Sequence, residues 1–171
     1  PEDATVVTDS GLIELILPTN LNFRNKRRCI HPASQGSMGY ALPAIVGAYF
    51  SSGGPVISVV GDGSIMMNLQ ELQTISFLQI PAKIFVINNN AYAIIRKRQK
   101  DLFRRRTIGT DPQNGVGCPD FSKIADAFGF SFQKIENADD LEKDISGVLN
   151  SEGPVLCEII GYEDQEYITT S

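Results

Sequence analysis

Two polar side chains, Asp62 and Asn89, stand 27 positions apart, and each follows closely on a run of apolar and β-branched residues. A carboxylate oxygen and an amide oxygen are hard ligands, which suit Mg²⁺ or Ca²⁺ better than zinc or copper. Mg²⁺ usually takes few protein ligands and completes its octahedron with waters and phosphate oxygens. The pair therefore predicts a divalent cation with a phosphate-bearing ligand beside it.

The residues around Asp62 are of the types that form a binding site for an anion. Gly61 and Gly63 allow the backbone to approach a ligand closely because they carry no Cβ. The N–H groups of Gly63 and Ser64 lie near a predicted helix start, where negative charge is favoured.

A βαβ unit must carry these side chains. Residues 56–60 read as an apolar strand, residues 61–64 as a Gly-Asp-Gly-Ser turn before a helix, and residues 82–87 as a second strand before three asparagines. Parallel strands end at the same edge of a sheet, so Asp62 and Asn89 are expected to meet there. Further strands are predicted at 5–8, 130–135 and 154–160, with helices at 40–50, 120–129 and 139–150. This alternation predicts an α/β, doubly wound, mostly parallel sheet of about six strands.

Composition narrows the class of protein. With 171 residues, the chain is expected to form one domain over residues 1–171, and its net charge of -5 argues against nucleic acid as the main partner. Cys29, Cys118 and Cys157 form no CxxC pair, which argues against structural zinc and for a reducing cytoplasm. No apolar run approaches membrane-spanning length, so a soluble protein is expected. The chain begins at Pro1 without an initiator Met, so we expect a fragment of a longer protein.

Several stretches beyond the Asp62 and Asn89 motif carry a family resemblance. They are GSMGYALP from Gly36, NLQELQT from Asn68 and IPAKI from Ile80. Together with Gly61-Asp62-Gly63 and the second Asn of the Asn-Asn pair, they resemble the C-terminal, pyrophosphate-binding (PP-type) domain of thiamine diphosphate-dependent enzymes of the acetolactate synthase group. The resemblance covers most of the chain.

The resemblance implies a role for each site residue. Mg²⁺ is ligated by Asp62, by the Asn89 side chain and by the backbone carbonyl of Ala91. Gly36 offers its carbonyl to the aminopyrimidine of the coenzyme, and Met38 lies under its ring system. The cofactor-binding set implied in this way is Gly36, Met38, Gly61, Asp62, Gly63, Ser64, Asn89, Ala91 and Tyr92.

The resemblance also implies an enzyme, a transferase or lyase that decarboxylates 2-oxo acids and joins the fragment to an acceptor, as in branched-chain amino acid biosynthesis. The activating glutamate of the family lies on a separate pyrimidine-binding domain, which nothing in this chain matches. We therefore expect little turnover from the chain alone, and a partner domain from the same or another chain. A homodimer or homotetramer is implied, and the full-length parent could bind FAD.

Residues 92–106 depart from the family pattern. Ile94 stands at the place of a methionine and Arg98 at that of a tryptophan near the acceptor substrate. An arginine there favours a carboxylate or phosphate on the acceptor. Seven basic residues crowd this stretch, and a solvated or interface surface is the default interpretation.

Local patterns give further expectations. Asp9 reads as a cap of the helix that follows it, and Asn68 with Glu71 as an N-terminal cap. Residues 18–35 read as an irregular loop with a basic cluster (Arg24, Lys26, Arg27, Arg28) and the single histidine, His31. The cluster is expected to be solvated or to form a subunit contact, with binding of an anionic substrate as the alternative. His31 is expected to be structural or solvated, with an acid–base role as the alternative. Met66 and Met67 are expected in the core, with a place along the phosphate arm of the coenzyme as the alternative.

Other functions are weighed against the synthase. A thiamine-dependent 2-oxo acid decarboxylase would use the same metal motif. A dinucleotide-binding dehydrogenase would need a third glycine where Met66 stands, so it ranks low. A non-enzymatic interaction module on the same sheet is opposed by the intact Asp62 and Asn89.

Overall fold

The computed structural model describes residues 1, 3–24 and 27–162. Its centre is a six-stranded, all-parallel sheet in the order β2-β1-β3-β4-β6-β5. The strands are β1 (Thr5–Thr8), β2 (Arg28–Ile30), β3 (Val56–Gly61), β4 (Lys83–Asn88), β5 (Ser131–Ile135) and β6 (Val155–Ile160). The predicted α/β fold with about six strands is confirmed.

Helices connect the strands, as parallel pairing requires. They are α1 (Leu12–Asn20), α2 (Ala41–Ser52), α3 (Asp62–Ile65), α4 (Glu71–Phe77), α5 (Ala93–Leu102), α6 (Phe121–Phe128) and α7 (Leu141–Asn150), with a 3₁₀ turn at Met66–Asn68. Asp120 caps α6 by accepting from the N–H groups of Ser122 and Lys123, and Gly129 ends it in the left-handed region at φ 74°. Both roles agree with the predicted start and stop of this helix.

Two apolar clusters pack on the sheet. The larger one joins α2, α4 and α6 to one face of the strands, with fully buried residues such as Leu42, Leu72 and Phe121. The smaller one includes Val148 of α7 together with Phe85, Ile135, Val155 and Cys157 of the strands. The helices therefore bury side chains on both faces, which is the doubly wound arrangement.

The strand order places a crevice between β1 and β3. The chain leaves β1 toward β2 on one side, and leaves β3 toward β4 on the other. In open α/β sheets, ligands bind at such a reversal, outside the carboxyl ends of the strands. Asp9 follows β1 and Asp62 follows β3, so both lie at this crevice.

The segment that the sequence assigned to an irregular loop is partly regular. Helix α1 continues to Asn20 with Pro18 inside it, and Arg28–Ile30 forms the edge strand β2, paired in parallel with β1. A three-residue strand with exposed Arg28 has no alternating pattern long enough to be recognised. Of the basic cluster, Lys26 lies outside the described residues, as does the tail from residue 163 onward.

The predicted Asn68 and Glu71 cap is wrong. Helix α4 begins after Gln70, and no side chain caps it. Asn68 ends the 3₁₀ turn, and its Nδ2 donates to the carbonyl of Gly39 at 2.8 Å. The side-chain amide of Asn68 therefore makes a tertiary contact instead of the helix cap that the local pattern predicted.

Cys29, Cys118 and Cys157 are all free thiols. Among the described residues, each helix is too short or too polar to cross a membrane.

Candidate functional site

Asp62 stands at the junction of β3 and α3, and only 3% of it is exposed. Its Oδ1 accepts a hydrogen bond of 2.7 Å from the N–H of Gly63, whereas Oδ2 is buried without a partner. A buried carboxylate oxygen without a partner is unfavourable, and native proteins rarely leave one. A cation at Oδ2 would satisfy it, so the donor set fits a metal.

The electrostatics of Asp62 reflect the same burial. Loss of solvent raises the pKa of the carboxyl group above its usual range, and the N–H of Gly63, the thiol of Cys118 and the N–H groups of Asn90 and Ala91 work against this rise in pKa. These neighbours come from α3, from the end of β4 and from a distant loop. The ends of β3 and β4 thus converge on the carboxylate, as the βαβ prediction required.

The three asparagines form a turn at the end of β4. Asn88 is still in the strand, where its Nδ2 donates to Oε1 of Glu158 at 2.6 Å and its Oδ1 accepts from the N–H of Asn90. Asn90 adopts φ 54°, a left-handed conformation that asparagine tolerates. Oδ1 of Asn89 accepts from the N–H of Ala91 at 3.2 Å.

This turn directs the Asn89 oxygen and Asp62 to the same place. The N–H of Ala91 donates to Asn89 and also faces the Asp62 carboxylate. An amide oxygen has two lone pairs, so Asn89 keeps one for a metal. Ala91 itself is 5% exposed. The candidate ligands Asp62, Asn89 and Ala91 therefore lie together.

Gly63 is covered by an aromatic ring. A Cβ placed on Gly63 would lie 2.6 Å from Cδ1 of Tyr92 and closer still to Cε1. Its N–H, which the sequence assigned to an anion, donates to Asp62 instead. Ser64 is 5% exposed within α3, and Gly61 precedes Asp62 at φ -77° with open space beside it.

Asp9 organises the loop that contains Gly36 and Met38. Its Oδ1 accepts from the N–H of Gly39 at 3.0 Å, and its Oδ2 accepts from the N–H of Ala41 at 2.8 Å. The prediction that Asp9 caps α1 is wrong, because α1 has no side-chain cap and the carboxylate serves the start of α2 instead. The topology brings α2 to the end of β1, which local sequence does not reveal.

The loop packs on the 3₁₀ turn just beyond Ser64. A Cβ on Gly39, at φ 82°, would lie 2.7 Å from Cβ of Met67, so only glycine fits there. Met38 is part-buried and lines an open cavity of about 440 Å³, whereas Gly36 is exposed at φ 57°. The cavity is bounded by Ser37, Met38, Gly39, Tyr40, Pro43, Ala44 and Asn68.

Met66 and Met67 are 38% and 49% exposed, so their predicted place in the core is wrong. They lie in the 3₁₀ turn at the same edge. His31 follows β2 at this edge, and its Nδ1 is buried without a partner among the described residues. Ile94 and Arg98 lie on α5, where Ile94 is part-buried and Arg98 exposed.

Sequence reasoning missed two residues of the site. The thiol of Cys118 faces Asp62, and burial, followed by the nearby carboxylates of Asp62 and Glu158, raises the pKa of Cys118 to about 12. The carbonyl of Thr110 accepts from the N–H of Tyr92 at 2.8 Å. Both residues lie in a Gly-, Pro- and Asn-rich loop, whose composition indicates only a turn.

The site differs from metal centres built on clustered side chains. Among the described residues, no group of three or more His, Cys, Asp or Glu side chains could hold a metal. The candidate ligands are instead one carboxylate, one amide and one backbone carbonyl. Such a set leaves coordination positions for waters and phosphate oxygens, which Mg²⁺ prefers.

Residues 9–159 match the family model for the C-terminal TPP-binding domain of thiamine pyrophosphate enzymes. The chain belongs to the thiamine pyrophosphate enzyme family. The matched range runs from Asp9 through β6, so the TPP-binding domain takes up most of the chain.

Several relatives of the chain are acetolactate synthases. The chain is 34% identical over 160 residues to acetolactate synthase isozyme 2 large subunit of Escherichia coli (strain K12), which covers 93% of the chain and 29% of that protein. It is 32% identical to the acetolactate synthase large subunit of Parasynechococcus marenigrum (strain WH8102), and the match covers 92% of the chain and 25% of that protein. It is 34% identical to the acetolactate synthase large subunit of Porphyra purpurea, and the match covers 95% of the chain and 28% of that protein. The chain thus spans between a quarter and three tenths of the length of these relatives.

Proposed function

We propose that this TPP-binding domain anchors thiamine diphosphate through Mg²⁺ and serves an acetolactate synthase-like enzyme acting on 2-oxo acids. The observation that carries the proposal is the buried, unpartnered Oδ2 of Asp62 at the convergence of β3 and β4. Asp62, the Asn89 side chain and the Ala91 carbonyl would hold the metal. When bound, the coenzyme supplies an electron sink for loss of CO₂ from a 2-oxo acid.

The residues of this chain would bind the coenzyme and orient it. Asp62 and Asn89 would fix the diphosphate end, and Tyr92 limits the space above Gly63. Gly36 and Met38 would hold the aminopyrimidine and the bend of the coenzyme, on a loop that Asp9 keeps attached to the start of α2. Positioning of this kind lowers the barrier because the reactive group is held in place before the substrate arrives.

Helix α5 would contact the acceptor substrate. By resemblance, Ile94 and Arg98 stand at positions that lie near the acceptor in the acetolactate synthase group, and Arg98 is exposed. Arginine recognises carboxylate and phosphate in two-point geometry. We therefore assign an acceptor that carries one of these groups.

The remaining parts of the enzyme would come from outside this domain. A pyrimidine-binding domain of the same or another chain would supply the activating glutamate, in a homodimer or homotetramer. A parent that binds FAD would hold it on another part of its chain. The free thiols support a place in the cytoplasm.

A 2-oxo acid decarboxylase is the second candidate, favoured by the departure of α5 from the synthase pattern at Ile94 and Arg98. Incubation of the full-length parent enzyme with pyruvate separates the two. Acetolactate as the product supports the synthase, and release of aldehyde alone supports the decarboxylase.

Binding can be tested on the chain itself. Titration calorimetry with thiamine diphosphate should show binding with Mg²⁺ and none with a chelator. The variant Asp62→Asn should lose the metal-dependent part. Binding that is indifferent to Mg²⁺, or no binding by the wild type, contradicts the proposal.

A further inference from the structure

We propose that Arg96 and Asp111 form a latch that positions residues 107–118 against the metal site, and thereby joins helix α5 to it. The inference rests on the proposed function, since it concerns the same site. Arg96 and Asp111 are positioning residues here, because neither lies among the candidate metal ligands.

The pair is well shielded from solvent. Nε of Arg96 lies 3.4 Å from Oδ2 of Asp111, and the two side chains are only 15% and 5% exposed. Asp111 also accepts from Oγ1 of Thr110 and from the N–H of Gln113, both at 3.1 Å. An ion pair this far from water is little screened, so the loss of either charge removes an attraction that helps to hold the loop against α5.

The loop that Asp111 anchors is closed on itself. Oδ1 of Asn114 accepts from the N–H of Thr110 at 2.6 Å and from that of Asp111 at 3.2 Å, while its Nδ2 donates to Thr107. The N–H of Val116 donates to the carbonyl of Asp111. Such a loop moves as a unit, so fixing Asp111 fixes its neighbours.

Two of those neighbours reach the site. The Thr110 carbonyl holds the N–H of Tyr92, whose ring covers Gly63. Cys118, at the end of the loop, faces the Asp62 carboxylate. The loop therefore touches the site from two sides, and Asp111 lies between the two contacts in sequence.

The other end of the latch lies on α5, the helix that also carries Ile94 and Arg98. Arg96 is two residues from Ile94 and two from Arg98 on α5. A change in the position of α5 would act on Asp111, and through the loop on Tyr92 and Asp62. The latch thus gives the acceptor-facing helix a mechanical connection to the metal ligands.

The same helix supplies a matched control. Lys97 and Asp101 form an ion pair of 3.1 Å, but their side chains are 65% and 60% exposed. A surface pair of this kind contributes little to stability. The variants are Arg96→Gln, Asp111→Asn and their double variant, compared with Lys97→Gln and Asp101→Asn.

Two readouts separate positioning from simple stability. The first is hydrogen exchange of the Tyr92 amide in the free chain, which needs no coenzyme. The second is the Mg²⁺ concentration at which coenzyme binding by the folded protein is half-maximal. Urea unfolding measures the folded fraction of each variant.

In the latch variants we expect faster exchange at Tyr92 and a rise in the Mg²⁺ requirement of roughly threefold to tenfold, at or below the low end of the range for direct partners of metal ligands, because Asp111 acts through Tyr92 and Cys118. The double variant should be no worse than the worse single one, because both remove the same interaction. The Lys97 and Asp101 variants should match the wild type in both readouts.

Unchanged Tyr92 exchange and unchanged Mg²⁺ requirement in the latch variants would overturn the inference and leave the proposed function intact. A lower midpoint of urea unfolding with the same Mg²⁺ requirement would also overturn it, since that describes a purely structural pair. Failure of the wild type to bind would overturn the proposed function, and the latch with it.

Discussion

The ring of Tyr92 occupies the space that a side chain on Gly63 would need. A Cβ at Gly63 would lie 2.6 Å from Cδ1 of the ring. Real Cβ atoms are not found so close to a neighbouring carbon, so one of the two residues would have to move. This contact links the turn after β3 directly to the residue that precedes α5.

Gly63→Ala should therefore destabilise the chain by about 1–3 kcal/mol, as overpacking does, and should weaken metal-dependent coenzyme binding. Gly61→Ala is the matched control, because its φ is -77° and nothing lies within 4 Å of the added Cβ. That variant should be as stable as the wild type or slightly more so. Urea unfolding measures both changes, and Gly63→Ala combined with Tyr92→Ala should recover stability. Equal stability of the two single variants would contradict the contact.

Asp62 should destabilise the free chain at neutral pH. Burial raises the pKa of its carboxyl group above the ordinary value of 3.8. The folded chain then holds the proton more tightly than the unfolded chain, so this group favours folding at low pH. Its contribution is lost as the pH rises from 3.8 through the raised value.

Asp62→Asn should accordingly stabilise the free chain at pH 7 by about 1 kcal/mol, the range seen when a functional group under strain is removed. Mg²⁺ with thiamine diphosphate should stabilise the wild type and leave the variant unchanged. Urea unfolding at pH 7 with and without the ligands measures this, with exposed Asp101→Asn as the control. Loss of stability in Asp62→Asn together with retained Mg²⁺ stabilisation would contradict the assignment.

Asp9 should matter to both stability and coenzyme binding. It is fully buried and accepts from the N–H groups of Gly39 and Ala41, so Asp9→Ala leaves two buried donors unpaired. We expect a loss of about 2 kcal/mol in urea unfolding, and weaker binding because the loop with Gly36 and Met38 is released.

Asp120→Ala is the control for Asp9, since Asp120 caps α6 through Ser122 and Lys123. It should lower stability by about 1 kcal/mol and leave coenzyme binding by the folded protein unchanged. If both variants affected binding equally, a specific role for Asp9 would be excluded.

Cys118 should be inert toward thiol reagents in the folded chain. Burial and the neighbouring carboxylates raise its pKa to about 12, so at pH 8 roughly one molecule in ten thousand carries the thiolate. The pKa of Cys157 is raised to about 11, first by burial. Alkylation followed by peptide mapping should show slow modification at both sites and rapid modification of all three cysteines in urea. Fast alkylation of Cys118 in the native chain would contradict its placement beside Asp62.

The sequence by itself determined the fold class and the positions of Asp62 and Asn89. Alternating apolar strands and helical stripes specify a parallel α/β sheet, and parallel strands end at one edge whatever lies between them. Local signals also located the ends of α6, because Asp120 and Gly129 act through backbone groups within a few residues of themselves. These features depend on interactions between residues close in sequence, and such interactions can be predicted from the sequence.

Only the tertiary structure decided which groups complete the site. Asp9 reaches Gly39 and Ala41, Asn68 reaches Gly39, Thr110 reaches Tyr92, and Cys118 reaches Asp62. In each of the first two cases a local cap was equally consistent with the sequence, and in the last two a loop showed only turn composition. A polar side chain bonds to whatever donor or acceptor the packed sheet brings to it, and that choice is made by strand order and loop path rather than by any periodic pattern.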